Sequence, residues 1–276
     1  MGGWFIFLEA IGMRGWIAKQ MLKRESALAT IARVPVLGRC VRAIGQKVVP
    51  HRSMVWAKIE AGPGKGLWIE LNPRTGSIYL RGDAEPKVQA FILDQLKPGM
   101  VFYDLGANCG FFSLIAARCV GSAGHVYSFE PESELVERIR RNMRRNQFEA
   151  FTIVPSAVWR ETGRVSFAPS DRSISPDQGT GQVTRAGNDV QTVQVPTVAL
   201  DDFARHARLP DFIKCDVEGA EVEVFRGAAH VLASRRPKIV CEIHSTENGQ
   251  ALRRDLQALG YVVQDLDEDH ISASMP

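Results

Sequence analysis

Residues 101–113 read Val-Phe-Tyr-Asp-Leu-Gly-Ala-Asn-Cys-Gly-Phe-Phe-Ser, and the fold follows from how this stretch is read. Val101–Tyr103 is a β-branched and aromatic run suited to a buried strand, and Asp104 ends it. Gly106–Gly110 makes a glycine-bearing turn, and Phe111–Cys119 has the composition of the helix leaving it. A strand, a tight turn and a helix start together aim backbone N–H groups at a ligand. The dinucleotide fingerprint G-x-G-x-x-G fails here, because its second and third places hold Asn108 and Phe111. The pattern is instead Asp104-x-Gly106-x-Asn108-x-Gly110. Glu130 follows 20 residues after Gly110, at the end of a second strand, His125–Phe129. A carboxylate at that place can accept the hydroxyls of a ribose.

Working outward, strands and helices alternate, as in a doubly wound parallel sheet. Helices are expected at 84–96, 132–146, 200–207, 218–234 and 247–259. Strands are expected at 151–158, 190–195, 212–215 and 239–243, with a closing antiparallel pair at 261–266 and 271–273. Before them, runs at 54–57, 67–71 and 78–80 separated by Gly/Pro turns suggest a small antiparallel β-hairpin. Residues 168–189 are dense in Ser, Gly, Asp and Pro and read as a long loop that helps select the substrate. Residues 1–52 read as a helical extension. They carry nine Lys/Arg against two Glu, a net of +7, while the other 224 residues hold 25 against 29, a net of −4. This basic arm is expected to cap the domain or to touch an anionic surface such as a lipid headgroup.

Three further stretches bear on function: Ser-Phe-Glu-Pro-Glu-Ser-Glu at 128–134, Ile-Lys-Cys-Asp-Val-Glu-Gly-Ala-Glu-Val-Glu-Val-Phe-Arg-Gly-Ala at 213–228, and Cys-Glu-Ile-His at 241–244. Together with 102–113 they resemble the FkbM family of S-adenosylmethionine-dependent methyltransferases, over roughly residues 75–273. The resemblance implies a class I, Rossmann-like fold: a seven-stranded, mostly parallel sheet with helices on both faces. The domain plan is then 1–52 as the basic extension, 53–98 as hairpin and helix, and 99–276 as the methyltransferase domain. S-adenosylmethionine is the implied cofactor, with Asp104, Gly106, Ala107, Asn108, Gly110, Phe111, Phe112, Glu130, Ser156, Ala157 and Asp216 as its candidate contacts. The reaction implied is methylation of a hydroxyl on a sugar, a glycan or a secondary metabolite. A non-catalytic cofactor-binding protein and a nicotinamide oxidoreductase are the alternatives.

Asp216 ends a strand, where parallel sheets line their ligand crevice. Glu218 and Glu221, three apart, would share one face of the helix that follows. Glu242 and His244, two apart, share one strand face. His244 suits a general base if its pKa stays near ~6.5. Asp216 and Glu218 are the other catalytic candidates. A divalent metal held by Asp216, Glu242 and His244 stays open, although histidine is an unusual Mg²⁺ ligand. His51, His125, His206, His230 and His270 have no partner pattern and are expected to be surface or structural. The five cysteines are scattered without a C-x-x-C pair, against a disulfide framework or a zinc site. Trp4–Leu8 is cut short by Glu9, far below the ~20 apolar residues of a span. A cytoplasmic protein with no nucleic-acid partner is expected.

Overall fold

The computed structural model describes residues 53–73, 75–170, 181–183 and 191–276. The expected helices of the basic arm, and all of the 168–189 loop except 168–170 and 181–183, lie outside these residues. Contacts divide the described residues into two compact units, 53–84 and 85–276.

In the small unit, strands β1 (Val55–Lys58) and β2 (Trp68–Leu71) pair antiparallel as expected. The third run does not join them. Ser77–Arg81 is a helix, α1, ended by Gly82 at φ 74°, whose N–H reaches the Ile78 and Tyr79 carbonyls. That left-handed stop is what glycine supplies. A Cβ at Gly82 would lie 2.3 Å from the Ala61 carbonyl oxygen. Local capping therefore overrides the strand propensity of Ile78 and Tyr79.

The large unit begins with α2 (Pro86–Gln95), then β3 (Val101–Leu105), α3 (Phe111–Val120), β4 (His125–Phe129), α4 (Ser133–Arg145) and β5 (Phe151–Val154). Further on come α5 (Leu200–Ala204), β10 (Phe212–Cys215), α6 (Glu221–Arg226), α7 (Ala229–Ser234), β11 (Lys238–Glu242), α8 (Thr246–Ala258), β12 (Val262–Asp265) and β13 (His270–Ser274). The main sheet has the order β12-β13-β11-β10-β3-β4-β5. Its pairs are parallel except β11/β13 and β12/β13. Every residue of β3 and β10 is buried, because helices cover both faces of such a sheet. On one face Phe91 of α2 packs against Phe212, which stacks on Phe102. On the other, Tyr103, Leu105 and Ile213 pack with Val224, Phe225, Leu252 and Leu256.

Two expected elements differ here. The run 151–158 breaks at Pro155, which lacks the N–H a continuing ladder needs. Its second half, β6 (Ala157–Val158), joins another sheet of order β6-β9-β7-β8, with β7 at Gly163–Ala168, β8 at Gln182–Val183 and β9 at Val193–Val198. The helix expected at 218–234 is two helices. Gly227 separates them where a Cβ would meet the Trp159 carbonyl at 2.5 Å, and the Asp201 carboxylate accepts from His230 N and Val231 N at 2.9 Å each to cap α7. Glu218 is not helical: its φ is +52°, and Gly219 follows at +95°. Glu218 and Glu221 therefore do not share a helix face.

Candidate functional site

The order of strand addition reverses between the parallel neighbours β3 and β10, so the loops leaving their carboxyl ends diverge and open a crevice. The turn after β3 is tied to β4 by Gly106 N and Ala107 N, each donating to the Phe129 carbonyl at 3.0 Å. Gly106, at φ 76°, packs so closely on β10 that a Cβ would lie 1.8 Å from the Asp216 carbonyl oxygen. Asn108, at φ 51°, turns its N–H toward Glu130 Oε2, 2.9 Å away. The other carboxylate oxygen of Glu130 accepts from Glu132 N, also at 2.9 Å. Two backbone donors thus fix a carboxylate that is only 5% exposed.

A narrow cleft lies in front of this turn. Six expected cofactor contacts line it: Gly106, Asn108, Glu130, Ser156, Ala157 and Asp216; Glu218 does so as well. Asp104, Ala107, Gly110, Phe111 and Phe112 do not, and form the support behind it. Asp104 is fully buried and accepts from Ser113 Oγ at 2.5 Å, and Ser113 in turn meets Ser128 Oγ at 2.8 Å. Burial pushes its carboxyl upward, against the opposing pull of the nearby Lys214 ammonium. Phe112 lies under that ammonium, 4.7 Å from Nζ to ring centroid.

Beside the cleft is a cluster of carboxylates around His244. Its Nδ1 is 2.7 Å from Glu221 Oε1, on a side chain with no exposure. Its Nε2 is 3.3 Å from Glu218, 3.7 Å from Glu242 and 3.9 Å from Asp216. The Glu221 hydrogen bond, opposed by burial, raises the imidazole pKa to about 9. His244 is therefore charged near neutral pH, unlike the ~6.5 imidazole of the sequence expectation. Burial would raise Asp216, but Lys214 Nζ at 3.2 Å, with His244 and Glu242, outweighs it and holds the carboxyl low. Glu218 is pushed up by burial.

Asp216, Glu218, Glu242 and His244 are thus brought together as their positions at strand ends suggest. Lys214 and the anchoring role of Glu221 were missed. A lysine inside the otherwise apolar strand Phe-Ile-Lys-Cys was the available signal for the first. His270 is neither exposed nor isolated. It is 7% exposed and faces Glu85, Glu242 and Asp267. Asp267 lies three residues away in the turn before β13, whereas Glu85 and Glu242 come from distant segments that spacing does not reveal. Two triples, Asp216/Glu218/His244 and Glu85/Glu242/His270, each offer ligand atoms within 4.8 Å of one another.

The strand order, the antiparallel pair at one edge and the glycine turn after the central strand define a class I, Rossmann-like methyltransferase fold. The methyltransferase FkbM domain matches residues 104–263, and the chain belongs to that family. It is 28% identical over 170 residues to the hexuronic acid methyltransferase AglP of Haloferax volcanii, covering 60% of this chain and 64% of that protein. The match therefore spans less than two-thirds of AglP. The 31-O-demethyl-FK506 methyltransferase FkbM of Streptomyces tacrolimicus is 28% identical over 218 residues, 69% of this chain and 78% of that one. A solved FkbM methyltransferase from Methylobacillus flagellatus superposes with a TM-score of 0.48 at 16% identity, covering 73% of this chain and 54% of that one.

The cleft residues suit S-adenosylmethionine. Backbone N–H groups of Asn108 and Glu132 orient the Glu130 carboxylate in the wall of the cleft, where a carboxylate can accept from a ribose hydroxyl. Glu130→Ala is expected to weaken S-adenosylhomocysteine binding by ~1–3 kcal/mol, about 5- to 150-fold, since charged hydrogen bonds are lost. Isothermal titration calorimetry on the two proteins checks it, and equal affinities would remove Glu130 from the site.

Proposed function

We propose that this chain transfers a methyl group from S-adenosylmethionine to a hydroxyl of a sugar, a glycan or a secondary metabolite. The observation carrying the reading is the adjacency of the Glu130 cleft to the carboxylate–imidazole cluster. One end suits a nucleoside, and the other can orient a hydroxyl and receive its proton. S-adenosylmethionine, when bound, supplies an electrophilic methyl on a sulfonium. Glu130 would hold the ribose, Ser156 and Ala157 would flank the adenine, and the 106–110 turn would support the amino-acid end.

Transfer to an alcohol needs little from the protein beyond positioning and removal of one proton. Both His244 nitrogens face carboxylates, so we assign His244 as a hydrogen-bond donor that orients the acceptor rather than as the base. Asp216 and Glu218, which line the cleft, are the groups placed to take the hydroxyl proton. Lys214 keeps Asp216 ionised for that role. The activities named for AglP and for the Streptomyces enzyme favour a sugar or secondary-metabolite hydroxyl. The catalytic domain is read as 99–276 and the protein as cytoplasmic. Cys109, Cys119, Cys215 and Cys241 are free thiols, which suits a reducing compartment. No described helix is long and apolar enough to cross a membrane.

The test uses methyl-tritiated S-adenosylmethionine with a panel of hexuronic acids, neutral sugars and polyol metabolites. Label is expected in a product stable to mild base, as a methyl ether is and a methyl ester is not. Calorimetry should show binding of S-adenosylmethionine and S-adenosylhomocysteine but not of NAD. Binding of NAD, or of neither sulfur nucleotide, would sink the proposal.

A further inference from the structure

We propose that Glu85, Glu242 and His270 form a binding site for one divalent transition cation of the Mn²⁺, Fe²⁺ or Zn²⁺ class. His270 starts β13, beside Glu242 at the end of β11, with which it is in register. Glu85 enters from the residue before α2, in the left-handed conformation at φ 44°. Three separate segments therefore converge on one point.

Two observations distinguish this cluster from an ordinary acidic patch. The first is the fixed orientation of the imidazole. His270 Nδ1 is 2.7 Å from Asp267 Oδ1, which also accepts from the His270 backbone N–H at 2.9 Å and from Asp269 N at 3.1 Å. A carboxylate on Nδ1 holds a ring proton there and directs Nε2 at the cluster, where a cation would displace the Nε2 proton and take its lone pair. This is the outer-shell arrangement that orients metal-bound histidines. The second is that His270 Nε2 and Glu85 Oε2 are both buried and neither makes a hydrogen bond. His270 is 7% exposed, so Nε2 cannot turn to solvent.

Distances and charge agree with a cation. Nε2 lies 3.3 Å from Glu85 Oε2 and 3.8 Å from Glu242 Oε2. Ligands bonded at about 2.1 Å stand roughly 3.0 to 4.2 Å apart in octahedral or tetrahedral shells. No lysine or arginine among the described residues pairs with Glu85, Glu242 or Asp267. A divalent ion would balance Glu85 and Glu242 and leave Asp267 to hold the neutral ring. One imidazole with two carboxylates favours Mn²⁺, Fe²⁺ or Zn²⁺ over Mg²⁺ or Ca²⁺. Glu242 also links the site to the cleft, since its other oxygen is the one 3.7 Å from His244 Nε2. An ion here would fix that carboxylate beside the cluster.

The test is a titration of the EDTA-stripped, full-length chain with Mn²⁺, with the free ion read by electron paramagnetic resonance. One Mn²⁺ per chain is expected, with affinity at least tenfold weaker in His270→Ala and in Glu85→Gln. His244→Gln, in the neighbouring triple, should retain the ion. Glu85→Gln is nearly isosteric, so the result stands even if His270→Ala fails to fold, and melting curves report folding for each variant. Absence of saturable binding would overturn the site. So would binding that survives Glu85→Gln but is lost in His244→Gln, which would move the ion to the other triple. Cofactor calorimetry on the same preparation keeps the two readings apart. Mn²⁺ binding without sulfur-nucleotide binding spares this site and sinks the methyltransferase reading, and the converse result does the reverse.

Discussion

Gly106→Ala is expected to abolish measurable S-adenosylmethionine binding and to destabilise the domain. The residue sits at φ 76°, where a side chain costs about 1–2 kcal/mol. That term is the smaller part. The new Cβ would stand 1.8 Å from the Asp216 carbonyl oxygen, against backbone that cannot rotate away. Relief requires the turn and the end of β10 to separate. This displaces Asn108 and Glu130 on one side and Asp216 on the other, all of them lining the cleft. Loss of at least ~100-fold in affinity, about 2.8 kcal/mol, is expected by calorimetry. Gly99→Ala supplies the control: its φ is 85°, yet a Cβ there meets nothing within 4 Å. It should lower stability by only ~1–2 kcal/mol and leave affinity unchanged. Equal behaviour of the two variants would mean that backbone strain, not the close approach to β10, is what matters.

Lys214→Met is expected to be the most destabilising substitution of a charged residue in the large unit. The lysine is 4% exposed, its ammonium is 3.2 Å from Asp216 Oδ2, and Asp104 and Glu85 add to the negative field around it. Methionine reproduces the stem and the packing on Phe112 but removes the charge. The fully buried Asp104 and the half-buried Asp216 are then left with no cation between them. Removing one partner of a buried pair costs ~3–5 kcal/mol, because the other charge stays uncompensated. For a domain of this size that is a fall in melting temperature of roughly 6–20 °C. Differential scanning calorimetry reads it directly. The double variant Lys214→Met/Asp216→Asn should recover part of the loss, since it removes one stranded charge. No recovery would show that a stranded Asp216 charge is not the source of the loss.

The sequence by itself determined what depends on neighbours along the chain. The apolar run Val101–Tyr103, the glycines at 106 and 110 and the helix after them form a local device, readable because each residue answers to its own backbone geometry. Glu130, Asp216 and Glu242 could be placed at strand ends because a strand's register fixes where its last side chain points. Their common side of the sheet followed from parallel order.

What the tertiary structure decided was which groups meet and in what state. Glu221 was legible as a first-turn acid, but only packing buries it completely and aims it at His244, turning an expected base into a cation. Pro155 was visible, yet its consequence depended on β9 being at hand to pair with Ala157 and Val158. Ile78–Leu80 had strand propensity, and the left-handed Gly82 stop beside Ala61 made it a helix. His270 was expected to be surface or structural, and its contacts were not legible, since Glu85 and Glu242 are remote from it in sequence: Glu242 meets it through the pairing of β13 with β11, and Glu85 from the start of α2. Local spacing encodes periodicity and caps; the electrostatic environment of a buried group is a sum over segments brought together by the sheet.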